Sequence, residues 1–390
     1  MVTMNALADH IALQRFHTVQ EVDAPSFRLE RGLHGWMRLQ PRWQAMLLGG
    51  TQTDCAFRQP VWHGARLRHL CNDPDELFFV CAERQGRLLA VLPLALSQRA
   101  VGRMTAIREL RTPVHAHQLL CDIALAPDQD IHRLWPQMRA WLQGPGARHL
   151  PPWDLLRIDG VPGVSALDQA LCAQTGTHQH TQLLRHSAWL DCSGTVDQAL
   201  ERVSRSHHGN VRRLQRRAMS RGALRFEVVN DPAALPQALS HFLQVESSGW
   251  KGERGTAIAA CEGLSGFYRT LAEQFGRHRS CRIHLLWLDD RVIAAQFVLL
   301  GARTMNLVKI AYLEEESDIA PGHLIMREAI EAACADPGID RLSFVSSPSW
   351  AHLWKPLQEP VRQHLIFRDS LRGWLLHRLH EHRHQPVQAG

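Results

Sequence analysis

The chain has 390 residues, of which 45% are hydrophobic and 21% are charged, and its formal net charge is +6. These values exclude a disordered or collagen-like chain and predict a folded protein of two or more domains. No apolar run reaches the roughly 20 residues of a membrane-spanning helix, and Asp9 and Arg15 stand where a signal peptide has its apolar core. The nine cysteines form no CxxC pair, and their odd number argues against a disulfide framework. We therefore expect a cytoplasmic protein.

Two predicted β-hairpins resemble each other at a spacing of 204 residues. Gly86–Leu96 is similar to Asp290–Leu300, and an apolar strand precedes each segment, at Leu77–Ala82 and at Ile283–Leu288. A repeat at this distance indicates two similar domains rather than a solenoid, whose repeats are shorter and more numerous. We therefore divide the chain into domains 1–192 and 193–390.

Further elements follow in both halves. The first half adds the helix Ile131–Leu142, the strand Asp154–Ile158, the helix Ala166–Gln174 and the strand Gln182–Leu190. The second half adds the strand Leu224–Val229, the helices Pro232–Val245 and Leu264–Gly276, the strand Met305–Tyr312, the helix Gly322–Ala335 and the strand Arg341–Val345. This order predicts an α/β (α+β) protein in which each half is a mixed, mostly antiparallel sheet flanked by helices.

The positive charge is concentrated between residues 202 and 221. Seven arginines and no acidic residue fall in this segment, so the rest of the chain carries a net charge of −1. Thr195 and Gln198 match a capping box, which predicts a helix over 196–221. Its arginines Arg212, Arg213 and Arg216 are candidates for binding phosphates or an acidic glycan, and a solvated basic face is the alternative.

A predicted strand, a loop and a predicted helix follow one another over residues 307–323. Pro321 suits the first helical turn, Gly322 allows a ligand to approach the backbone closely, and the free N–H groups of a helix start favour an anion such as pyrophosphate. We therefore assign cofactor binding to Pro321, Gly322 and His323. Taken alone, Pro-Gly before a helix is also common structural punctuation.

Lysine usage points to the same region. Lys251, Lys309 and Lys355 are the only lysines among 44 basic side chains. Lys309 lies in an apolar strand that we expect to be central and covered by helices, so its charge needs an acidic partner. Glu246 and Asp318 are the candidate partners.

These observations define the candidate site residues. We assign catalysis to Glu246, Lys309 and Asp318, and substrate contacts to Trp250, Lys251, Tyr312, Arg212, Arg213 and Arg216. The alternative for Glu246–Lys251 is a capped helix end with a packed tryptophan. The sequence has no GxSxG, GxxxxGK[ST] or HExxH motif and no His/Cys spacing typical of zinc, so we expect no metal site.

Several segments together resemble a known family. They are Glu246…Trp250-Lys251-Gly, Gly255-Thr-Ala, Phe267-Tyr268, Val292-Ile-Ala-Ala295, Leu307–Tyr312, Asp318…Pro321-Gly322 and the arginine-rich segment. They resemble the GNAT-type acyltransferases of the CelD-like group found in bacterial cellulose and exopolysaccharide clusters, which are related to FemAB-type transferases. The chain departs from that pattern at Ala320, where members often have Ser, and it lacks the usual Q/R-x-x-G-x-G/A phosphate loop.

The resemblance implies two GNAT-like folds in tandem, with a structural or acceptor-shaping first half. It implies transfer of an acyl group from acyl-CoA or an acyl-carrier protein to an amine or hydroxyl of a small-molecule or saccharide acceptor. Glu246 or Asp318 would be the base, and Lys309 would anchor the acceptor. Two alternatives stay open: a FemAB-like transferase that uses aminoacyl-tRNA, and a non-catalytic polysaccharide-assembly subunit.

The last predicted element is a helix over 370–384. Leu371, Trp374, Leu375 and Leu379 oppose Arg372, Arg378 and Arg383. We expect this helix to pack on the body of the protein, with peripheral contact to an anionic membrane as the alternative.

Overall fold

Thirteen strands form one continuous sheet in the computed structural model, which describes residues 24–48, 55–101, 105–174, 178–248 and 257–384. The strands are β1 (Ser26–Arg31), β2 (Leu77–Arg84), β3 (Arg87–Val101), β4 (Thr105–Arg111), β5 (Ala124–Leu125), β6 (Leu155–Pro162), β7 (Gln179–Asp191), β8 (Leu224–Val229), β9 (Cys281–Leu288), β10 (Arg291–Gly301), β11 (Thr304–Tyr312), β12 (Arg341–Ser343) and β13 (Leu357–Phe367). This architecture confirms the predicted mixed, mostly antiparallel sheet flanked by helices.

Ten α-helices lie within the described residues. They are α1 (Gly32–Leu48), α2 (Pro60–His69), α3 (Ile131–Gln143), α4 (Ala166–Ala173), α5 (Val196–Ala199), α6 (Arg205–Met219), α7 (Leu235–Ser247), α8 (Glu262–Arg277), α9 (Pro321–Ala335) and α10 (Leu371–His384). Short 3-10 helices include Ala56–Arg58, Glu314–Ile319 and Ser349–Trp354.

The two halves of the sheet exchange strands. The order is β1-β2-β3-β4-β6-β13-β7-β12-β11-β10-β9-β8, with β5 beside β3. β13, from the end of the chain, pairs with β6 of the first half, and β7, from the first half, pairs with β12 of the second. The chain position 192/193 therefore does not divide the sheet, and the proposed division into two domains stays a prediction.

The internal repeat is visible in the backbone. β2 and β9 have the same length at the spacing of 204 residues, and β3 and β10 start at that spacing. Both hairpins also shift register at the same point, leaving Leu89 and Ile293 as the extra residues of equivalent bulges. A shared bulge is a positional detail that similar composition alone does not produce, so the two halves have related folds.

The helices α2 and α8 join the two halves through a tight apolar contact. Trp62 is fully buried, and its ring lies 5.7 Å from that of Phe267 and 6.4 Å from that of Phe275. A Cβ atom at Gly266 would lie 2.5 Å from the His69 ring, so this close approach requires glycine. The packing carries first-half residues to the sheet of the second half.

The arginine-rich segment forms two helices instead of the predicted single one. The Thr195–Gln198 capping box is present, but it starts only the short helix α5. Ser204 then begins α6, because its hydroxyl accepts the N–H of His207 at 3.1 Å. The interruption buries Leu200 and Val203 against the core.

The C-terminal helix α10 leaves three of its leucines exposed, while Leu376 packs against an apolar cluster of the body. Leu371, Leu375 and Leu379 are 77%, 48% and 55% exposed, whereas the rings of His377 and Phe367 lie 5.1 Å apart. The helix therefore packs on the body as expected, but through Leu376 and His377 and not through Leu371, Leu375 and Leu379. Within the described ranges, no helix is long and apolar enough to cross a bilayer.

Candidate functional site

A cleft opens where two parallel strands of the second half separate. β11 pairs with β12 only at Thr304–Asn306, opposite Arg341–Ser343. β11 also shifts register against β10, so that Val308 forms a bulge just beyond the last paired residues. The strands then diverge around a cavity of about 200 Å³, the strand cleft. Its lining residues include Phe57, His117, Lys309, Val345 and Trp350.

The backbone at the far wall of the strand cleft is strained. Val345 follows β12 with a φ of 62°, and its side chain is only 4% exposed. A β-branched residue rarely adopts this left-handed conformation, which costs on the order of 1–3 kcal/mol. The turn is fixed partly by the Val345 N–H, which donates to the Ser343 hydroxyl at 3.1 Å. The turn at Val345 leads the chain away from β11 where the pairing of the two strands ends.

A second cavity of about 260 Å³, the helix pocket, lies at the start of α9. It is lined by Tyr312, Gly322 and His323, and it shares Ile310 and Trp350 with the strand cleft. Ala320 enters the helix with a φ of 46°. Pro321 has no N–H and the His323 N–H donates to the Ala320 oxygen at 2.9 Å, so among the first three α9 residues Gly322 offers its backbone N–H to the pocket. A Cβ atom at Gly322 would contact the Tyr312 ring at 3.4 Å and would narrow the pocket. Together the two cavities form a groove from a helix N-terminus into the sheet.

Imidazole groups border the helix pocket. His323 lies 5.2 Å from the His207 ring of α6, and His207 lies 4.8 Å from the Trp354 ring. Burial, together with the neighbouring imidazoles His323, His208 and His352, lowers the pKa of His207 to about 4, and burial also lowers the pKa of His323. The His323 ring beside the pocket is therefore neutral at pH 7 and offers hydrogen bonds rather than a positive charge.

A hydrogen-bonded pair joins the two halves at the strand cleft. His117, from the first half, shares a hydrogen bond of 3.0 Å between its Nδ1 and the Tyr268 hydroxyl of α8. Burial and then the nearby Glu246 raise the pKa of Tyr268 well above its usual value, so the phenol stays protonated. Glu246 is itself 6% exposed and accepts the Ile258 N–H at 2.7 Å. The order from cleft to interior is therefore His117, Tyr268, Glu246.

The structure distributes the predicted site residues over several places. Lys309 lines the strand cleft and is partly exposed, so the expected fully covered central strand is wrong beyond residue 306, where β12 leaves. Asp318 lines neither cavity; its carboxylate is bound by Arg217 at 2.6 Å and by Arg221, which lowers its pKa. This environment suits a structural ion pair better than a proton acceptor.

The other predicted residues divide between the groove and the surface. Pro321, Gly322, His323 and Tyr312 lie together at the start of α9, as expected from their spacing. Arg212, Arg213 and Arg216 are exposed on α6. Trp250 and Lys251 lie outside the described residues.

Sequence reasoning missed the cleft residues that come from distant segments. His117 and Phe57 belong to the first half, and they reach the cleft only because α2 packs on α8. Val345 carries no sequence signal, since its importance lies in its φ angle. The pair His115-Ala-His117 was the one available hint, and it had no motif spacing to support it.

The first half has no matching groove among its described residues. β4 pairs with β6 through its last residues, Glu109–Arg111, without a register shift. A long connection that contains β5 then precedes α3, where the second half has a short turn into α9. The separation of strands next to a helix start is thus a feature of the second half.

One group of side chains in the described part of the chain has the spacing of a metal site. Asp168, Cys172 and His364 place donor atoms within 4.8 Å of one another. However, Asp168 accepts a hydrogen bond of 2.9 Å from His364 and pairs with Arg362, so the network is balanced without a metal ion. None of these residues lines the groove.

Part of the sequence that builds the groove matches a known domain family. Residues 205–349 match the family model of an acetyltransferase (GNAT) domain. The matched segment runs from α6 to the residues after β12, so it contains the basic helix and the second-half walls of both cavities, whereas Phe57, His117 and Trp350 lie outside it. No curated protein matches the sequence.

Solved structures share the fold of nearly the whole chain. FemX has a TM-score of 0.55 at 12% identity, over 87% of this chain and 98% of that one. L-PGS from Bacillus licheniformis has a TM-score of 0.51 at 12% identity, over 87% and 96%. A conserved protein of unknown function from Bacteroides thetaiotaomicron has a TM-score of 0.53 at 10% identity, over 85% and 97%. At these identities the likeness shows a common fold.

Proposed function

We propose that this protein is an acyltransferase that moves an acyl group from a thioester to an amine or hydroxyl acceptor. The observation that carries the proposal is the separation of β11 from β12 beside the N-terminus of α9. A helix start binds the phosphates of a donor, and the gap between strands admits an extended thioester arm to the level of Lys309. The GNAT match of residues 205–349 supports the same reaction class.

Attack on the thioester needs a base, a donor that stabilises the oxyanion, and a surface that orients the reactants. The strand cleft supplies candidates for each. The acceptor nitrogen or oxygen attacks the carbonyl carbon, the thiolate leaves, and the proton of the acceptor passes to a base. Lys309 lines the cleft and stabilises the oxyanion that develops on the carbonyl oxygen. The groove holds both reactants in the orientation for direct attack.

His117 is the base in this proposal. When its Nδ1–H donates to the Tyr268 oxygen, Nε2 keeps the lone pair that accepts the proton. Glu246 was one of the two bases expected from the sequence, with Asp318, but it lies behind the buried Tyr268, where it favours the neutral phenol. We assign Glu246 and Tyr268 to positioning.

The identity of donor and acceptor belongs to the proposal as well. By resemblance to the CelD-like group, we propose acetyl or longer acyl transfer, in the 2.3.1 class, from acyl-CoA or an acyl-carrier protein to a saccharide or small molecule of exopolysaccharide or cell-envelope synthesis. A cytoplasmic location fits such donors. Peripheral membrane contact through 370–384 is supported by the exposed Leu371, Leu375 and Leu379 of α10.

Two variants test the reaction. Lys309→Met keeps the apolar stem but removes the ammonium, so we expect at least a 100-fold loss of thiol release from acetyl-CoA at an unchanged melting temperature. Gly322→Val places a branched side chain in the helix pocket and should weaken acetyl-CoA binding in isothermal titration. Lys355→Met is the matched control, because Lys355 lies outside both cavities.

The outcomes separate the parts of the proposal. Full turnover by folded Lys309→Met protein would remove Lys309 from the site. Failure of the wild type to release thiol from acetyl-CoA, longer acyl-CoAs and acylated carrier protein would contradict the acyltransferase assignment.

A second candidate is aminoacyl transfer from tRNA, as in the FemAB-type relatives that the sequence resembles. The exposed arginines of α6 are the observation that favours it. Transfer of a radiolabelled amino acid from total aminoacyl-tRNA, without turnover of any acyl thioester, would select this candidate.

A further inference from the structure

We propose that the outward face of α6 is a docking surface for an acyl-carrier protein with an acidic surface. This inference rests on the proposed function, because it names the source of the acyl group that reaches the strand cleft. The surface consists of Arg205, Gly209, Arg212, Arg213 and Arg216 and is called the arginine row below.

The arginine row is a straight line of charge. Arg205, Gly209, Arg212 and Arg216 follow one another at helical spacings of four, three and four residues, so they share one face of α6. From Arg205 to Arg216 the row spans roughly 16 Å at 1.5 Å per residue. This length exceeds what the phosphates of one bound nucleotide would occupy, and it matches about three turns of a partner helix.

The charge of the arginine row is not neutralised by the described part of the protein. Arg217 and Arg221, on the neighbouring face, both pair with Asp318. In contrast, Arg205, Arg212 and Arg216 are exposed and make no ion pair with any described residue. Like charges on adjacent turns destabilise a helix, so a row without partners in the fold suits an external anionic ligand.

Gly209 is an independent sign of close approach. It lies in the middle of α6, where glycine lowers helix stability, and a Cβ atom there would meet nothing within 4 Å. Packing therefore does not require a glycine at this position. The missing side chain leaves a shallow gap between Arg205 and Arg212, in which a partner backbone can approach the helix.

The arginine row is placed beside the route of the donor. His207, on the inner face of the first turn of α6, lies 5.2 Å from His323 at the helix pocket. At the other end of α6, Arg217 holds Asp318 of the 3-10 helix that leads into α9. A carrier bound on the arginine row is therefore next to the pocket through which its prosthetic arm would enter.

The surroundings favour an acidic protein over RNA. Exposed carboxylates border the row: Asp197 and Glu201 precede it, and Glu314 lies on the 3-10 helix that packs against α6. A long RNA backbone that follows the row would meet these like charges. α6 carries no Phe, Tyr or Trp for base stacking, and its His207 ring is buried against the core. A short acidic helix fits the row without extending over its borders.

Binding of a purified carrier tests the surface directly. The probe is an acyl-carrier protein loaded with an acetyl group, and its Kd is measured by surface plasmon resonance at low and high salt. Reversal of Arg205, Arg212 and Arg216 to Glu should raise the Kd at least tenfold, and 0.5 M salt should weaken wild-type binding similarly. The control reverses three exposed arginines elsewhere, Arg133, Arg148 and Arg269, and should leave the Kd within twofold. Circular dichroism and melting curves must show that both variants are folded.

A rescue experiment makes the assignment specific. A carrier in which surface carboxylates are reversed to Lys should bind the triple arginine-to-Glu variant better than the wild type. An unchanged Kd for that variant with the native carrier would overturn the proposal. Binding of total tRNA but not of the carrier, lost in the same variant, would overturn it in favour of RNA.

The two proposals fail separately. If the wild type turns over acetyl-CoA but does not bind the carrier, the acyltransferase function stands and the docking surface is wrong. If the carrier binds through the arginine row but no donor is consumed, the docking surface stands and the catalytic assignment is wrong.

Discussion

His117 reaches the strand cleft from the first half of the chain. Its Nδ1 atom lies 3.0 Å from the hydroxyl oxygen of Tyr268, which belongs to the second half. The phenol stays protonated because burial and Glu246 raise its pKa. A protonated phenol that accepts from Nδ1 keeps His117 in the tautomer with a basic Nε2. In the proposed reaction the two residues are the base and its positioning group, and they meet across the junction of the halves.

This arrangement predicts a pH dependence for the reaction. Wild-type kcat/KM should rise with pH through one histidine ionisation, because only the neutral ring accepts a proton. His117→Gln should lower kcat about 100-fold and abolish this rise. Tyr268→Phe should keep the rise but displace its midpoint, since the ring loses its orienting partner.

The measurement is a pH–rate profile with acetyl-CoA over pH 5.5–9. A matched control is His132→Gln, on the exposed surface of α3, which should leave the profile unchanged. A His117→Gln profile of wild-type shape and height would exclude His117 as the base.

The sequence allowed the groove residues that lie within one short segment to be grouped, and their role in binding stays a prediction. Pro321, Gly322, His323 and Tyr312 could be grouped because a strand, a turn and a helix start follow each other. It placed Glu246 near the chemistry but could not see Tyr268 between Glu246 and the cleft. His117 was not predictable, because its position depends on the packing of α2 on α8.

At the scale of single elements, α6 shows a conflict between helix stability and surface chemistry. Gly209 sits in the helix interior without a packing reason. On α8, in contrast, a Cβ atom at Gly263 would lie 2.5 Å from the backbone oxygen of His69. The two glycines are therefore present for different reasons, and an alanine substitution at each position distinguishes these reasons.

Gly209→Ala should stabilise the protein, and Gly263→Ala should destabilise it. The first removes backbone freedom from the unfolded chain and adds no clash, which is worth about 0.4–1 kcal/mol in the free energy of unfolding. The second forces α2 and α8 apart. Urea denaturation of the wild type and both variants measures the effect, and a destabilised Gly209→Ala protein would contradict the structural argument.

The first and last residues of a helix or strand were predictable where the hydrophobic pattern and the end signals in the sequence mark the same residues. The strand Leu224–Val229 has the predicted ends, and the helices over 131–143 and 321–335 differ from the prediction by one residue at one end. The predicted helix 196–221 was too long, since its apolar spacing continues across the interruption and hides Ser204 as a second helix start. The hydrogen bond that the Ser204 hydroxyl accepts from the His207 N–H decides where the second helix begins.

At the scale of the whole molecule, buried imidazoles couple stability to pH. Burial lowers the pKa of His63 to about 3 and that of His284 to about 4. In the unfolded chain both groups titrate near pH 6.5. Between those values the unfolded state binds more protons, so the free energy of unfolding falls as the pH falls from about 6.5 toward 4.

His63 offers a test of this coupling. Its ring is fully buried, is stacked on Trp43 at 5.4 Å, and has no hydrogen-bond partner at either nitrogen among the described residues. His63→Leu should therefore flatten the loss of stability between pH 7.5 and pH 4.5, measured by denaturant unfolding at several pH values. His132→Gln serves as the exposed control, and an unchanged pH dependence in His63→Leu would refute the role of this group.

The repeat in the sequence predicted two related halves, and the equivalent bulges at Leu89 and Ile293 agree with it. The exchange of β7 and β13 was not predictable, because hydrophobic patterns identify strands but do not select partners far along the chain. β13 had no clear pattern, and in the sheet it is enclosed by β6 and β7. Long-range pairing of this kind is decided by tertiary contacts.

The exchanged strands have a consequence for how the protein is made. A nascent chain folds from its N-terminus at synthesis rates of about 5–20 residues per second. The first half cannot complete its sheet when β6 emerges, since β13 begins only at Leu357. The edge of β6 therefore waits for on the order of 10–40 s at those rates. During that interval the newborn chain exposes the unpaired edge of β6, so we expect chaperones to bind it. A truncation that removes β13 would leave the same edge of the first half unpaired in the finished protein.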